Sequence, residues 1–204
     1  MNAYICQMID FPYDLVLLVG AGLFAGFINT MAGGGSLLTL PLLIFLGLPS
    51  ATANGTNRVA ILVATSSATL GFRSKKVNSF PFSLYLGGAA LMGALIGARI
   101  AIDIDGNLFN RILAIIMIVV VVLMVFKPKY NAIPTSAKTT GKTRIWSMVA
   151  FFFIGIYGGF INAGIGFIMM LFMNYVNRMD LIRVNATKVA VAFIYTTGAL
   201  VTFA

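Results

Sequence analysis

Long apolar runs separated by short polar turns dominate the pattern of this 204-residue chain. A helix needs about 20 apolar residues to cross a bilayer, so the pattern predicts eight apolar helical segments, at about 15–31, 33–48, 54–72, 80–102, 108–126, 146–163, 165–177 and 185–204. The second and seventh segments are short. The sequence therefore predicts an all-α integral membrane protein, a polytopic helical bundle that forms one transmembrane domain over residues 1–204.

Each short segment follows a glycine-rich break. The first break is Met31-Ala32-Gly33-Gly34-Gly35 and the second is Ala163-Gly164-Ile165-Gly166. Glycine in a helix interior costs about 1 kcal/mol relative to alanine. Clusters of it at membrane depth predict broken helices or helical hairpins whose backbone faces protein or water. Three further glycine pairs are spaced for close helix packing, at 22/26, 93/97 and 155/159.

Basic residues concentrate in three connections between the apolar segments. The chain has 14 Lys and Arg against 5 acidic residues, a net charge of +9. Eleven of the 14 lie near 73–79, 127–145 and 178–188. If every segment crosses, these are alternate connections, and the positive-inside rule places the loops at 73–79, 127–145 and 178–184 in the cytoplasm. The N-terminus is then outside a cell membrane that the chain crosses several times.

The composition excludes several classes of protein. Only 9% of residues are charged, against about a quarter in soluble domains. The positive charge lies in loops that can anchor on an anionic leaflet, so no nucleic acid partner is expected. With no histidine and one cysteine, Cys6, neither a zinc site nor a disulfide framework is expected. An enzyme is not expected, since no nucleophile with a base is visible, and neither are cofactors.

The chain resembles itself in two places. Gly22 to Asn29 matches Gly155 to Asn162, and Asn54 to Asn57 matches Asn185 to Lys188. This predicts repeat one at 14–126, a cytoplasmic linker at 127–145 and partial repeat two at 146–204. Five crossings separate the two starts, so the repeats are expected to be inverted. The second repeat lacks two helices, so the chain is either a natural short form or cut from a protein of roughly 250 residues.

At these motifs the chain resembles the sulfite exporter TauE/SafE family, also called TSUP. The resemblance rests on the Gly-Phe-Ile-Asn stretches, Ala32-Gly33-Gly34-Gly35-Ser36, Pro41 and Ala53-Asn54-Gly55-Thr56-Asn57. It covers essentially the whole chain, without the last two helices of the family. It implies a membrane transporter associated with sulfite, thiosulfate, sulfoacetate or related sulfur-containing organic anions.

The candidate substrate-binding residues are glycines at the breaks and polar residues around them. Free N–H groups at a helix start favour an oxyanion. For the asparagines and threonines, ligand contact and helix capping both remain open. For Arg58 and Lys188, the alternatives are pairing with the anion and snorkelling to the interface. The candidates are Asn29, Gly33, Gly34, Gly35, Asn54, Thr56, Asn57, Arg58, Asn162, Gly164, Gly166, Asn185, Thr187 and Lys188.

These features favour a secondary transporter for a small anion that works by alternating access, with both breaks at the site. An ion or solute channel and a non-transporting truncated subunit are the alternatives. The expected partners are the anionic substrate and the lipid bilayer. The sequence leaves open the exact substrate, the direction of transport, the coupling ion and homo-oligomerisation.

Overall fold

The computed structural model of the protein describes residues 13–77, 79–126 and 137–203. These residues form eight α-helices and no strand, which confirms the predicted all-α class. The start of the chain and most of the predicted linker, at 127–136, lie outside the described residues. The helices are α1 (Tyr13–Ala32), α2 (Ser36–Phe45), α3 (Ser50–Ser74), α4 (Phe82–Asp103), α5 (Gly106–Val125), α6 (Gly141–Phe160), α7 (Ile165–Tyr175) and α8 (Leu181–Phe203).

Within the described ranges, four helices are long and apolar enough to cross a membrane: α4, α5, α6 and α8. α6 starts at Gly141, five residues inside the predicted linker, because its first turns carry Lys142 and Arg144 and so do not read as apolar. α3 is the longest helix, at 25 residues, but polar side chains interrupt its apolar character. The predicted segments therefore correspond to helices, with shifted starts where polar residues begin the helix.

The helices after the two glycine breaks are too short to cross alone. α2 has 10 residues and α7 has 11. At about 1.5 Å per residue, each covers roughly half of a hydrocarbon core about 30 Å thick. The expectation that every segment crosses is therefore wrong for these two helices.

Both short helices fold back on the helix before them. A Cβ at Gly35 would lie 2.2 Å from the carbonyl oxygen of Ala25, which brings the start of α2 against α1. At the far end of α7, the Asn177 side chain donates a hydrogen bond of 2.8 Å to the Ser147 hydroxyl near the start of α6. Thus α1–α2 and α6–α7 are two helical hairpins with the glycine breaks at their tips.

Three of the long helices, α4, α6 and α8, run in the same direction. Along α4, Gly93 lies against Phe152 and Gly97 lies against Ile156, so the order of contacts is the same in α4 and α6. α8 follows α4 in the same sense. The contacts that order α8 against α4 are Gly87 with Ile194 and Leu91 with Gly198.

The three basic connections lie at one end of the bundle. The backbone N–H of Lys138 donates to the carbonyl of Asn177 at 2.8 Å, which joins the end of the linker to the α7–α8 turn. Arg73 and Lys76, after α3, share a cavity with Ala186 near the start of α8. Three helices, α3, α4 and α5, therefore separate the two hairpins. Three is odd, as an inverted repeat requires, while the inversion and the cytoplasmic placement stay predictions.

Glycine and alanine let α4 and α6 pack backbone to backbone. A Cβ at Gly97 would lie 1.9 Å from the carbonyl oxygen of Ile156, and one at Gly159 would lie 2.1 Å from that of Ala94. The packing interpretation is therefore confirmed for the 93/97 and 155/159 pairs. It is wrong for Gly22 and Gly26, which have nothing within 4 Å of an added Cβ in the described part of the chain.

Candidate functional site

The tips of the two hairpins meet through backbone atoms. Gly33 has a φ of +77°, and a Cβ added to it would lie 2.3 Å from the carbonyl carbon of Gly166. A Cβ on Gly166 would lie 2.5 Å from the Cα of Gly33. Only glycine combines the left-handed conformation at Gly33 with this close approach. The structure thus brings the two predicted breaks together, although they are 133 positions apart in the sequence.

Two tyrosines hold the second break. Asn162 has a φ of +64°, which is uncommon outside glycine. Its side-chain oxygen accepts a hydrogen bond of 2.6 Å from the Tyr195 hydroxyl, while its amide nitrogen is buried without a partner in the described part of the chain. The Tyr157 hydroxyl donates to the carbonyl of Ala163. The backbone turn is therefore tied to α6 on one side and to α8 on the other.

Capping is the wrong interpretation for Asn29 and Asn162. The N-cap positions are Gly35 for α2 and Gly164 for α7, and neither helix has a side-chain capping hydrogen bond. Gly164 has a φ of +71° and lies against Val120 of α5. The physical reason is that each break contains a separate glycine turn between the asparagine and the new helix.

Capping is also wrong for the second matched set. α3 begins at Ser50, four residues before Asn54, and α8 begins at Leu181, four residues before Asn185. At the start of α8 it is Asp180 whose carboxylate accepts from a backbone N–H, that of Arg183, at 2.9 Å. The matched asparagines instead lie one turn inside their helices, where Asn54 bonds to α6 and Asn185 accepts from Lys188 of its own helix.

On α3, these side chains bind the end of α6. The Asn54 amide donates to the carbonyl of Phe160 at 2.7 Å, and the Arg58 guanidinium donates to the carbonyl of Gly159. Both carbonyls belong to the last turn of α6, where helix hydrogen bonds are missing and the dipole is negative. Arg58 is fully buried, so snorkelling is the wrong interpretation, and it does not line the central cavity described below.

On α8, Lys188 binds the end of α1 in the same manner. Its ammonium donates to the carbonyls of Asn29 at 3.2 Å and Thr30 at 2.9 Å. It also donates to the side-chain oxygen of Asn185 at 2.7 Å. Lys188 is only 2% exposed, which rules out snorkelling. Its neighbour Thr187 is fully buried, and its hydroxyl has no hydrogen-bond partner among the residues that the structure describes.

A small cavity lies directly beside the meeting point of the breaks. Its volume is about 20 Å³, room for about one water molecule. We call it the central cavity. It is lined by Asn29, Ser36, Ile61, Thr65, Asn162, Ile165, Gly166, Met169, Lys188, Val189, Ala192 and Tyr195. Four predicted residues are therefore brought together here: Asn29, Asn162, Gly166 and Lys188.

Other predicted residues lie around the cavity or away from it. Asn57 accepts a hydrogen bond of 2.5 Å from Thr39 and lines a separate pocket of about 70 Å³ between α1, α2 and α3. Gly34 is buried in the first break. Thr56 is exposed on the opposite face of α3 from Asn54 and Asn57, in an outer groove with Val59. The structure thus places Thr56 outside the site.

Three polar residues of the central cavity are absent from the predicted set. These are Ser36, Thr65 and Tyr195. The repeat carries a signal for one of them, because Thr65 matches Thr196 when the two copies are aligned. Tyr195 has no such signal, since the role of its hydroxyl depends on the turn at Asn162 in another element.

A larger cavity opens at the end of the bundle that carries the basic connections. Its volume is about 460 Å³, and we call it the basic vestibule. Arg73 and Lys76 supply its charge, and Thr69 lies one turn along α3 from Thr65 of the central cavity. Ala186 and Ala190 of α8 form its other wall. The α3–α8 pair therefore borders both the vestibule and the central cavity.

The chain is similar to several curated proteins. It is 29% identical over 163 residues to a probable membrane transporter protein of Haemophilus influenzae, covering 79% of this chain and 63% of that protein. It is also 29% identical to the probable membrane transporter protein ORF9 of Sinorhizobium sp, covering 77% of this chain and 59% of that protein. YfcA of Escherichia coli K12, another probable membrane transporter protein, is 28% identical over 155 residues, covering 76% and 57%.

The chain thus spans about 60% of the length of these relatives, as coverages of 63%, 59% and 57% show. No solved structure matches it significantly. The relatives are membrane transporters and not enzymes. The model of the family described as "Sulfite exporter TauE/SafE" matches residues 18–204, which include both glycine breaks and every residue of the central cavity. The chain therefore belongs to the TauE/SafE family of membrane transporters.

Proposed function

We propose that the chain carries the substrate site of a secondary transporter for a small anion, and that this site is the central cavity. The observation that carries the proposal is Lys188, a buried cation that borders the cavity. Its described partners are oxygens of Asn29, Thr30 and Asn185 and the sulfur of Met170, and none is a carboxylate. Among the described residues, the one salt bridge joins Arg183 to Asp180. A bound anion would supply the missing counter-charge.

The remaining lining suits an oxyanion. The Asn162 amide nitrogen is buried without a partner among the described residues, and the Ser36 hydroxyl lines the same space. The Thr65 and Tyr195 hydroxyls, which now donate to Ile61 and Asn162, would turn to the ligand. An oxyanion accepts several hydrogen bonds at once, and such bonds to a charged acceptor are about twice as strong as neutral ones. The family description names sulfite, so the substrate class we propose is a sulfur-containing anion such as sulfite, thiosulfate or sulfoacetate.

The size and position of the cavity support the proposal of alternating access. A space of about 20 Å³ must widen before it can hold a sulfur oxyanion. The hairpin tips touch through Gly33 and Gly166, so they can separate without moving any side chain of their own. The basic vestibule lies towards one end of the bundle, and the pocket of about 70 Å³ shares Asn29, Ser36 and Ile61 with the cavity. These two spaces are the proposed routes for the substrate.

We propose an orientation in which the end of the bundle with the basic connections faces the cytoplasm. The vestibule would then collect anions on the cytoplasmic side, where Arg73 and Lys76 raise their local concentration. The described chain would begin outside, with the α1–α2 hairpin entering from that side. The proposal keeps repeat one at 14–126 and moves the start of partial repeat two from residue 146 to Gly141, where α6 begins.

The test is ligand-dependent thermal stability of the purified chain in detergent. A ligand at 100 times its Kd stabilises the folded state by about 2.7 kcal/mol. Sulfite, thiosulfate, sulfoacetate, sulfate, phosphate and chloride would be compared, together with a cation. We expect a saturable upward shift of Tm with at least one sulfur oxyanion. A folded chain whose Tm responds to none of these anions would contradict the proposal.

A matched pair of variants shows whether the shift comes from the central cavity. Thr65→Val removes a hydroxyl that lines the cavity and donates to the carbonyl of Ile61 at 2.7 Å. Thr197→Val removes an exposed hydroxyl that donates to the carbonyl of Phe193 at the same distance, 2.7 Å. We expect weaker anion binding in Thr65→Val alone.

Reconstitution into vesicles then separates a transporter from a chain that binds the anion without moving it. Single-channel current would indicate a channel.

A further inference from the structure

An apolar groove runs along the outside of the α4–α6 pair, away from the central cavity. Its volume is about 640 Å³, and we call it the α4–α6 groove. Small residues leave space along its floor. A Cβ added at Gly88 would meet nothing within 4 Å, and Ala89 lies beside it. Met92 and Phe153, on opposite walls, are 65% and 63% exposed.

The groove ends at a cationic residue. The guanidinium of Arg144, in the second turn of α6, lies 4.9 Å from the ring centroid of Tyr85, which lines the groove. This contact fixes the cation over the α4–α6 pair at the end of the bundle that carries the basic connections. Lys142, two residues earlier, is exposed. Together they provide positive charge where the groove reaches the membrane surface.

Acidic side chains do not neutralise this charge within the described residues. Asp103 and Asp105 lie in the α4–α5 turn at the other end of the bundle. At the basic end, Asp180 is the acidic residue described, and it pairs with Arg183 at 3.4 Å. The end of the groove is therefore electropositive, while its length is apolar.

We propose that the α4–α6 groove binds an anionic phospholipid from the leaflet at the basic end of the bundle. The phosphate would lie at Arg144 and Lys142, and one acyl chain would follow the groove past Gly88 towards Met92. From Tyr85 to Met92 the groove rises by about 10 Å along α4, which fits within one leaflet of a core about 30 Å thick. A phospholipid joins a phosphate to an acyl chain, and this match to both parts of the site argues for a lipid over a soluble anion.

The single tryptophan reports on this site. Trp146 lies two residues after Arg144 and is 70% exposed. The full chain would be placed in phosphatidylcholine vesicles, and its fluorescence measured as brominated phosphatidylglycerol or brominated phosphatidylcholine is added. One favourable cation contact is worth about 1 kcal/mol near a membrane surface, or about fivefold in affinity. We expect brominated phosphatidylglycerol to quench with about fivefold higher apparent affinity.

Three variants test the geometry. Arg144→Gln and Gly88→Leu should each bring the preference close to one, the first by removing the charge and the second by filling the groove. Gly88→Leu is sterically safe, since open space lies around Gly88. Arg183→Gln removes a cation at the same end but outside the groove and should keep the preference. A preference that survives both Arg144→Gln and Gly88→Leu would overturn the proposal in favour of general leaflet charge.

A second copy of the chain is the other occupant that the experiment distinguishes. The oligomeric state of the wild-type chain and of Gly88→Leu would be measured by light scattering in the same detergent. An unchanged oligomeric state supports a lipid in the groove. A dimer that becomes a monomer in Gly88→Leu would overturn the lipid proposal, because the groove would then be an interface between copies.

Discussion

Lys188 of α8 binds the carbonyls at the end of α1, and Arg58 of α3 binds a carbonyl at the end of α6. The two buried cations thus make similar contacts in the two halves of the chain, although the repeat matches Lys188 with Asn57 and not with Arg58. Each stabilises the negative end of a helix that stops at a glycine break. Of the two, only Lys188 also borders the central cavity, so we expect the pair to differ in their effects on anion binding.

Lys188→Met should destabilise the chain and abolish anion binding. The substitution leaves the carbonyls of Asn29 and Thr30 and the Asn185 side chain without their donor, at about 1–3 kcal/mol. Arg183→Gln is the control, since it breaks an exposed ion pair that contributes at most about 1 kcal/mol. Thermal melts with and without sulfite measure both properties. Normal sulfite binding by folded Lys188→Met would remove Lys188 from the proposed site.

Gly166→Ala should destabilise the chain because the new Cβ would lie 2.5 Å from the Cα of Gly33. Neither backbone can move without opening the contact between the hairpin tips, so we expect a loss of about 2 kcal/mol or more. Gly26→Ala is the matched control. Its Cβ meets nothing within 4 Å, and alanine gains up to about 1 kcal/mol in a helix. Equal melting temperatures for the two variants would contradict the close approach.

Asn54→Leu should cost stability without changing anion affinity. The side chain bonds the carbonyl of Phe160 at 2.7 Å and does not line the central cavity. Loss of this buried bond is expected to cost about 1–3 kcal/mol. Thr56→Val, on the exposed face of the same helix, should remain within about 0.5 kcal/mol of the wild type. A large drop in sulfite affinity for Asn54→Leu, in a folded chain, would show that ligand contact had been missed.

The orientation can be tested by cysteine labelling in a Cys6→Ser background, which has no other cysteine. Lys75 and Asn107 are both exposed and lie at opposite ends of α4. In intact cells, an impermeant maleimide should label Asn107→Cys, while Lys75→Cys should react only after permeabilisation. The reverse pattern would invert the proposed orientation. Labelling of both from outside would contradict a single crossing between them.

The sequence predicts the helices well because each long apolar run by itself indicates a membrane helix. Helix starts are predicted less well where polar residues begin a helix, as at Ser50 and Gly141. Glycines identify the breaks, since a cluster of them has few other uses at membrane depth. The same logic predicts packing at Gly22 and Gly26, where no described neighbour exists, because a spacing motif does not specify its partner.

The contacts of the candidate site are harder to predict than its members. Asn54 and Phe160 are 106 positions apart, so no local sequence pattern indicates that the Asn54 side chain caps the end of the helix that contains Phe160. Asparagine near a predicted helix start suggests self-capping, but Asn54 and Asn185 lie one turn inside their helices. Tyr195 is one aromatic residue among many in a membrane chain, and its place in the central cavity depends on the left-handed turn at Asn162.

A hairpin that returns to the side it left adds nothing to the crossing count. Residues gained or lost within α2 or α7 would change how deep a tip reaches, yet every later loop would still emerge on its original side. Loss of α3, α4 or α5 would instead invert all that follows. The two hairpins can thus vary in length while the topology of the chain is inherited unchanged.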